Sequence, residues 1–364
     1  MRLSAPSIAL VAIAVLVTGG WAASRAQPNA RTPLASAAEL LAPNTRVASF
    51  TDWAKVREEI DPSSFAVGAN REAFMFGAHE QDLSYRSVLE DKAIDMRRVF
   101  GWSPFNIDWE IYGRANDGAL LAARMGDNLS ATTVEEHLQD AGYTEAAGLW
   151  STTVDNFASR ATGQPTTLRN IAILGGDRLI LGSDRVGYLE DAVARHRGNA
   201  RSLADVRSVR GVLAPLAGAA SAVVLRSTDA CEMASLSEVT DTEKSRAKNL
   251  VEPLGPLAKM SHLGQGLFTT ANGQMVRYAM EFGSATEASQ QVRIRRALAT
   301  GTIVGRVAEI EGFMTFDGAR TRDNTAIFDF AVDNPTNSAI TEIGDGPMLF
   351  AACSPNEKPT NPLG

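Results

Sequence analysis

Apolar residues recur along this chain at two spacings, and these predict its elements. A period of two runs through residues 105–113 (FNIDWEIYG). Ile107, Trp109 and Ile111 fall on one side of the predicted strand, and Asp108, Glu110 and Tyr112 on the other. Similar runs predict strands at 47–50, 119–125, 221–225, 304–310, 313–316, 325–332 and 348–352, with two short ones between 143 and 152. Gly175-Gly176-Asp177 and Asn272-Gly273 each sit between two apolar runs and predict hairpin turns, joining 171–173 to 179–181 and 263–270 to 274–282.

Helical spacing separates these strands. Trp53, Val56 and Ile60 mark one face of a helix that Thr51 or Asp52 can cap. Leu89, Ala93, Met96 and Phe100 make one stripe of a helix over 84–100, with Gly101 supplying the left-handed residue after it. Ser130 reads as an N-cap, and Leu129 and Val134 are spaced as a hydrophobic staple. Further helices follow Asp184 (burying Val186, Leu189 and Val193), cover 203–216 up to a break at Pro215, cover 242–251, and start at Ala285 (burying Ala288 and Val292). Residues 63–81 carry no clear pattern, and 226–261 read as a mostly polar connection.

Strand density and hairpin turns predict an α+β protein of two related halves, 42–203 and 204–353. Each is expected to be a mainly antiparallel sheet with helices packed on one face. The repeat is read from 168–197 against 263–300. In that alignment Gly182-Ser183 matches Gly283-Ser284, and Gly198 matches Gly301. Residues 27–41 are expected to be a linker, and 354–364 (SPNEKPTNPLG) a disordered tail.

The N-terminus changes the picture of where this domain resides. Arg2 precedes the apolar run 8–17 (IALVAIAVLV), and Ser24-Arg25-Ala26 offers small residues around a cleavage point. Residues 1–26 therefore read as a signal peptide. Because no charge falls between Arg2 and Arg25, they also read as an uncleaved membrane anchor, with residues 5–23 in the bilayer. Either reading makes the protein extracytoplasmic, secreted or anchored in the cytoplasmic membrane. The chain holds two cysteines, and in an oxidising compartment Cys231 and Cys353 are expected to form a disulfide.

Charge removes one class of partner. The formal net charge is −7, and it is −9 without Arg2 and Arg25. That balance disfavours nucleic acid and anionic lipid headgroups. The four histidines, His79, His137, His196 and His262, show no metal-ligand spacing, and no phosphate-binding loop or nucleophile motif occurs. No metal, cofactor or catalytic residue is expected.

One acidic pair invites chemistry. On a regular strand Asp108 and Glu110 would lie roughly 6–7 Å apart, within the span glycosidases use. Trp102, Phe105 and Trp109 could supply a stacking wall. Asp108, Glu110 and Tyr112 are accordingly the candidate surface, although alternating acids on a solvated strand face are the commoner meaning. Arg195-His196-Arg197 and Arg293, Arg295, Arg296 close two predicted helices, where cations complement the helix dipole. An anionic ligand or envelope polymer is the other reading of these clusters.

The segments VASFTDWAKVR, DLSYRSVLEDKAIDMRRVFGWSPFNIDWEIYG, RSLADVRSVRG and MLFAAC resemble an uncharacterised family of exported or membrane-anchored actinobacterial proteins. The resemblance covers nearly all of the chain after residue 40. It implies an extracytoplasmic location and a single N-terminal hydrophobic segment, and it transfers no site residue. The function expected is that of a cell-envelope protein acting as a non-catalytic binding or interaction module, with an envelope protein or glycan as partner. The alternatives are an envelope-acting hydrolase of unrecognised type and an accessory subunit of a membrane complex.

Overall fold

The computed structural model describes residues 31–60, 71–233, 239–306, 308–332, 340 and 348–353. Residues 1–26, expected as a signal peptide or anchor, and residues 354–364, expected as a tail, lie outside them. Among the described residues no helix is long and apolar enough to cross a membrane.

From Thr32 onward the chain forms one compact unit. Its strands, in chain order, are β1 (Val47–Thr51), β2 (Ile107–Arg114), β3 (Ala119–Met125), β4 (Thr144–Ala146), β5 (Leu149–Ser151), β6 (Asn170–Leu174) and β7 (Leu179–Ser183), then β8 (Ser221–Arg226), β9 (His262–Thr270), β10 (Gly273–Glu281), β11 (Thr315–Arg322) and β12 (Thr325–Val332). All twelve pair antiparallel in one sheet, ordered β11-β12-β10-β9-β8-β1-β2-β3-β7-β6-β5-β4. At its centre β1 pairs with β8, Val47 opposite Leu225 and Thr51 opposite Ser221. The residues expected as two halves thus share a single sheet.

Helices cover both faces of this sheet, where one covered face was expected. The larger core lies under α2 (Trp53–Glu59), α3 (Arg71–Glu80), α4 (Ala93–Phe100), α5 (Ala131–Asp140), α6 (Val154–Arg160), α9 (Ser227–Met233), α10 (Asp241–Val251) and α11 (Ala285–Arg296). The smaller core lies under α1 (Pro33–Ala38), α7 (Val186–His196) and α8 (Arg207–Leu213). The central strands record this in their composition. β8 opens SAVVL and β3 opens ALLAA, both buried throughout, as strands are when both faces are covered.

Several other expectations change. The supposed linker is folded from Thr32, whose hydroxyl caps α1, and Leu34, Leu40 and Leu41 are buried. Gly113 makes room for Leu41, because a β-carbon there would lie 2.5 Å from Leu41 Cδ2. The unpatterned residues 71–80 form α3. Phe74, Met75 and Ala78 are buried, but the exposed Phe76 interrupts the stripe. The helix expected over 84–100 begins only after a 3-10 turn at Glu90–Lys92, although its four stripe residues are all buried. Val186 is exposed, and α7 buries Tyr188, Leu189, Ala192 and Arg195. Among the described residues around 304–310 there are an isolated bridge, Thr302 with Glu309, and a 3-10 turn at Ile310–Gly312. The apolar run expected as a last strand is a 3-10 turn, Leu349–Ala351, buried against α11.

The repeat read from the sequence also shifts. β6 and β7 lie fifth and fourth outward from the β1–β8 seam, whereas β9 and β10 lie second and third. The two hairpin–helix segments therefore do not occupy corresponding places.

The expected disulfide is present. Cys231 in α9 is bonded to Cys353, with 5.3 Å between their Cα atoms. Arg295 secures the same C-terminal stretch. It is fully buried, and it donates to the carbonyls of Phe350 (2.6 Å), Ala352 (2.8 Å) and Ala258 (2.8 Å) and to Gln291 Oε1 (3.0 Å). From the last turn of α11, where the sequence placed it, it bridges buried carbonyls.

Candidate functional site

The acidic pair does not survive folding as a pair. The β2–β3 register passes from Ile107 opposite Met125 to Trp109 opposite Arg124, leaving Asp108 as an extra residue. Such a bulge re-aims the strand. Ile107 joins the larger core, while Trp109 and Ile111 join the smaller one. Asp108 is half-exposed and lies 3.8 Å from the Arg57 guanidinium. Glu110 is 1% exposed. Its Oε2 accepts from Trp53 Nε1 and its Oε1 from the Val88 backbone N–H, each at 3.0 Å. Burial pushes its carboxyl up to about 7, against the hydrogen bonds from Trp53, Ser87 and Val88.

Tyr112 goes elsewhere again. It is half-buried on the wall of a cavity of about 610 Å³ that includes Lys92, Arg114, Asp184 and Arg185, and burial raises its phenol. Asp108, Glu110 and Tyr112 thus share no surface. A sealed carboxyl beside a solvated one cannot act on the two sides of a glycosidic bond.

The second sequence signal, the basic cluster at the end of α7, is brought to a cavity of about 310 Å³. α1 forms one wall with Ser36, Glu39 and Leu40, and Trp109 of β2 contributes to the floor. Arg124 at the end of β3, Arg178 just before the return strand and Arg195 of α7 also line it. The Gly175–Asp177 turn is a single 3-10 turn, and Arg178 after it adopts a left-handed backbone, φ 56°. That turn folds Arg178 over the end of β3, where Nε donates to the Met125 carbonyl (3.2 Å) and Nη1 to Asp127 (2.6 Å). His196 and Asp177 are joined at 2.9 Å.

Arg195 is the most constrained member. It is 8% exposed, its Nε donates to the Leu40 carbonyl at 3.0 Å, and its guanidinium lies 5.5 Å from the Tyr188 ring centre. Its Nη2 and that of Arg178 are buried with no hydrogen-bond partner among the described residues. Burial lowers the proton affinity of Arg195. A guanidinium held this way is not a solvated helix end. It is a fixed cation on the cavity wall, and guanidinium groups pair with planar or tetrahedral oxyanions. Ser36 also lines the cavity.

The sequence marks Arg195, His196, Trp109 and the Gly-Gly-Asp turn singly. It gives no sign of their convergence, because residues 27–41 have the composition of a linker and Arg178 simply follows a turn. Among the described residues no group of three His, Cys, Asp or Glu side chains could hold a metal ion.

No described protein family and no curated protein matches this chain. Solved structures of TP0453 are similar to it at a low level. Crystal form I is 8% identical with a TM-score of 0.40, over 85% of this chain and 97% of that one. Crystal form III is 7% identical with a TM-score of 0.38, over 83% and 95%.

Proposed function

We propose that this chain is an extracytoplasmic cell-envelope protein, secreted or held in the cytoplasmic membrane by residues 5–23, and that its folded part is a non-catalytic module binding an anionic envelope component. Export is supported by the signal-like N-terminal pattern and by the Cys231–Cys353 bond, since disulfides persist in oxidising compartments. Binding is supported by one observation above all: Arg195, nine-tenths buried and held by the Leu40 carbonyl, lines a cavity together with Arg124, Arg178 and Trp109.

The same proposal includes duplication, in a register different from the hairpin–helix alignment. Outward from the seam the sheet runs β1-β2-β3-β7-β6 on one side and β8-β9-β10-β12-β11 on the other. A helix precedes the first strand in each half (α1, α8), another follows it (α2, α9), and one follows the third strand (α5, α11). We read these as two related α+β halves whose first strands have joined.

Calorimetric titration of galacturonate and of inorganic phosphate, at fixed ionic strength, tests the binding reading. Arg195→Gln should weaken the tighter of the two ligands at least tenfold. Equal affinity in the variant and the parent would refute it.

A further inference from the structure

The duplicated topology has a counterpart to the arginine cavity. A cavity of about 450 Å³ lies between α8, the end of β10 and the β11–β12 turn. The correspondence can be followed residue by residue. In the first cavity the wall helix is α1, which precedes β1; in the second it is α8, which precedes β8. Arg124 and Leu179, paired where β3 meets β7, both line the first. Glu281 and Thr325, paired where β10 meets β12, both line the second. The β6–β7 turn brings Asp177 and Arg178 to one, and the β11–β12 turn brings Arg322 and Asp323 to the other. Both cavities open on the sheet face that α1, α7 and α8 cover.

Their chemistry corresponds in kind, with the charges redistributed. The strand position that carries Arg124 in the first site carries Glu281 in the second, and Glu281 is buried and bonded to the Thr325 hydroxyl. Guanidinium groups come from the wall helix instead, as Arg207 and Arg210, and from the turn, as Arg322. Arg210 is steadied by a bond from Nη1 to the Asp205 carbonyl, 3.1 Å. Gly211 holds α8 tight against the strand end, because a β-carbon there would lie 2.3 Å from Glu281 Oε2. Three arginines therefore line the cavity with one internally bonded carboxyl and Asp323, an excess of positive charge in a protein of net charge −7.

We propose that this cavity is a second oxyanion site, related to the first by the internal duplication and taking the same class of ligand, a phosphate- or carboxylate-bearing group. The inference rests on reading the first cavity as an anion site. Two sites on one face suit a polyanion, and a free oxyanion shares the same group chemistry.

The test is a titration of inorganic phosphate into the purified full chain at constant ionic strength, read from the Nε–H resonances of the arginine side chains. Saturating shifts are expected at Arg195 and at Arg210 with separate midpoints, while the exposed Arg160 and Arg201 move without saturating. Arg195→Gln should remove only the first set. The double change Arg207→Gln, Arg210→Gln, at two exposed positions, should weaken only the second set, at least tenfold. Saturation at Arg195 alone would overturn the second site and leave the first standing. Saturation at Arg210 alone would overturn the reading of the first, and saturation at neither would overturn both. Linear polyphosphate, compared at equal phosphate concentration, separates the two sources. A polyanion ligand gains at least tenfold in affinity and loses the gain in either variant, whereas a free oxyanion gains nothing.

Discussion

Trp53 donates its indole N–H to Glu110 at 3.0 Å inside the larger core, tying α2 to β2 through a carboxyl that water does not reach. The bond gives Glu110 a structural assignment and removes it from any surface chemistry. It also makes Glu110 a source of pH dependence. Its folded-state pKa, about 7, lies above the ordinary value of 4.5. The folded protein therefore retains this proton between those values while the unfolded chain has released it. Stability should fall as pH rises from about 4.5 to 7 and then level off, by roughly 3 kcal/mol from this group. Glu110→Gln should flatten that slope, gaining on the parent at pH 8 relative to pH 5 in urea melts. A constant difference between the two proteins across that range would contradict the assignment. Glu110→Ala should cost about 2–4 kcal/mol, because it strands the Trp53 and Val88 donors.

The C-terminal stretch is held twice. Reducing Cys231–Cys353, or replacing both residues by Ser, opens a loop closed over a sequence separation of 122 residues. The chain-entropy account gives a loss of about 4–5 kcal/mol. Thermal melting with and without reductant measures it.

Arg295 holds the same stretch with no acidic partner among the described residues. Desolvation lowers its pKa to about 9, so it stays charged at neutral pH. Arg295→Met should destabilise the fold by about 3–5 kcal/mol, through the orphaned carbonyls of Phe350, Ala352 and Ala258. Arg295→Lys should rescue little of it, since a single ammonium cannot span the acceptors of a guanidinium fork. Urea midpoints, with limited proteolysis of the C-terminus, separate these outcomes.

Residues 32–41 behave as core in the structure. Leu41 is fully buried against Gly113, so Leu41→Ala should cost about 2–5 kcal/mol. A linker residue would cost nothing measurable in the same denaturant melt.

Much of the fold was legible where local chemistry repeats a rule. Ser130 caps α5 through Thr133 N–H at 3.1 Å, Gly101 ends α4 at φ 74°, and β3 and β12 have the expected limits. What escaped depended on distant partners. Alternation in β2 implied one face for Ile107 and Trp109, but a single bulged residue sends them to opposite cores. The run MLFAAC has strand composition, yet it packs as a 3-10 turn because Arg295 and Cys231 claim its backbone and its last side chain. Cations at the ends of α7 and α11 looked alike in sequence. Arg195 reaches the carbonyl that follows α1, and Arg295 reaches the C-terminal turn. Neither acceptor lies near in sequence, so spacing could not tell a cavity wall from a buried clamp.

The most direct test of the anion-binding account is a crystal of the protein soaked with selenate, an oxyanion whose selenium scatters anomalously. The account predicts an anomalous peak in the Trp109 cavity, within hydrogen-bonding distance of Arg195, that is absent from the Arg195→Gln crystal. Peaks only at exposed arginines, with the Trp109 cavity empty at saturating selenate, would contradict it.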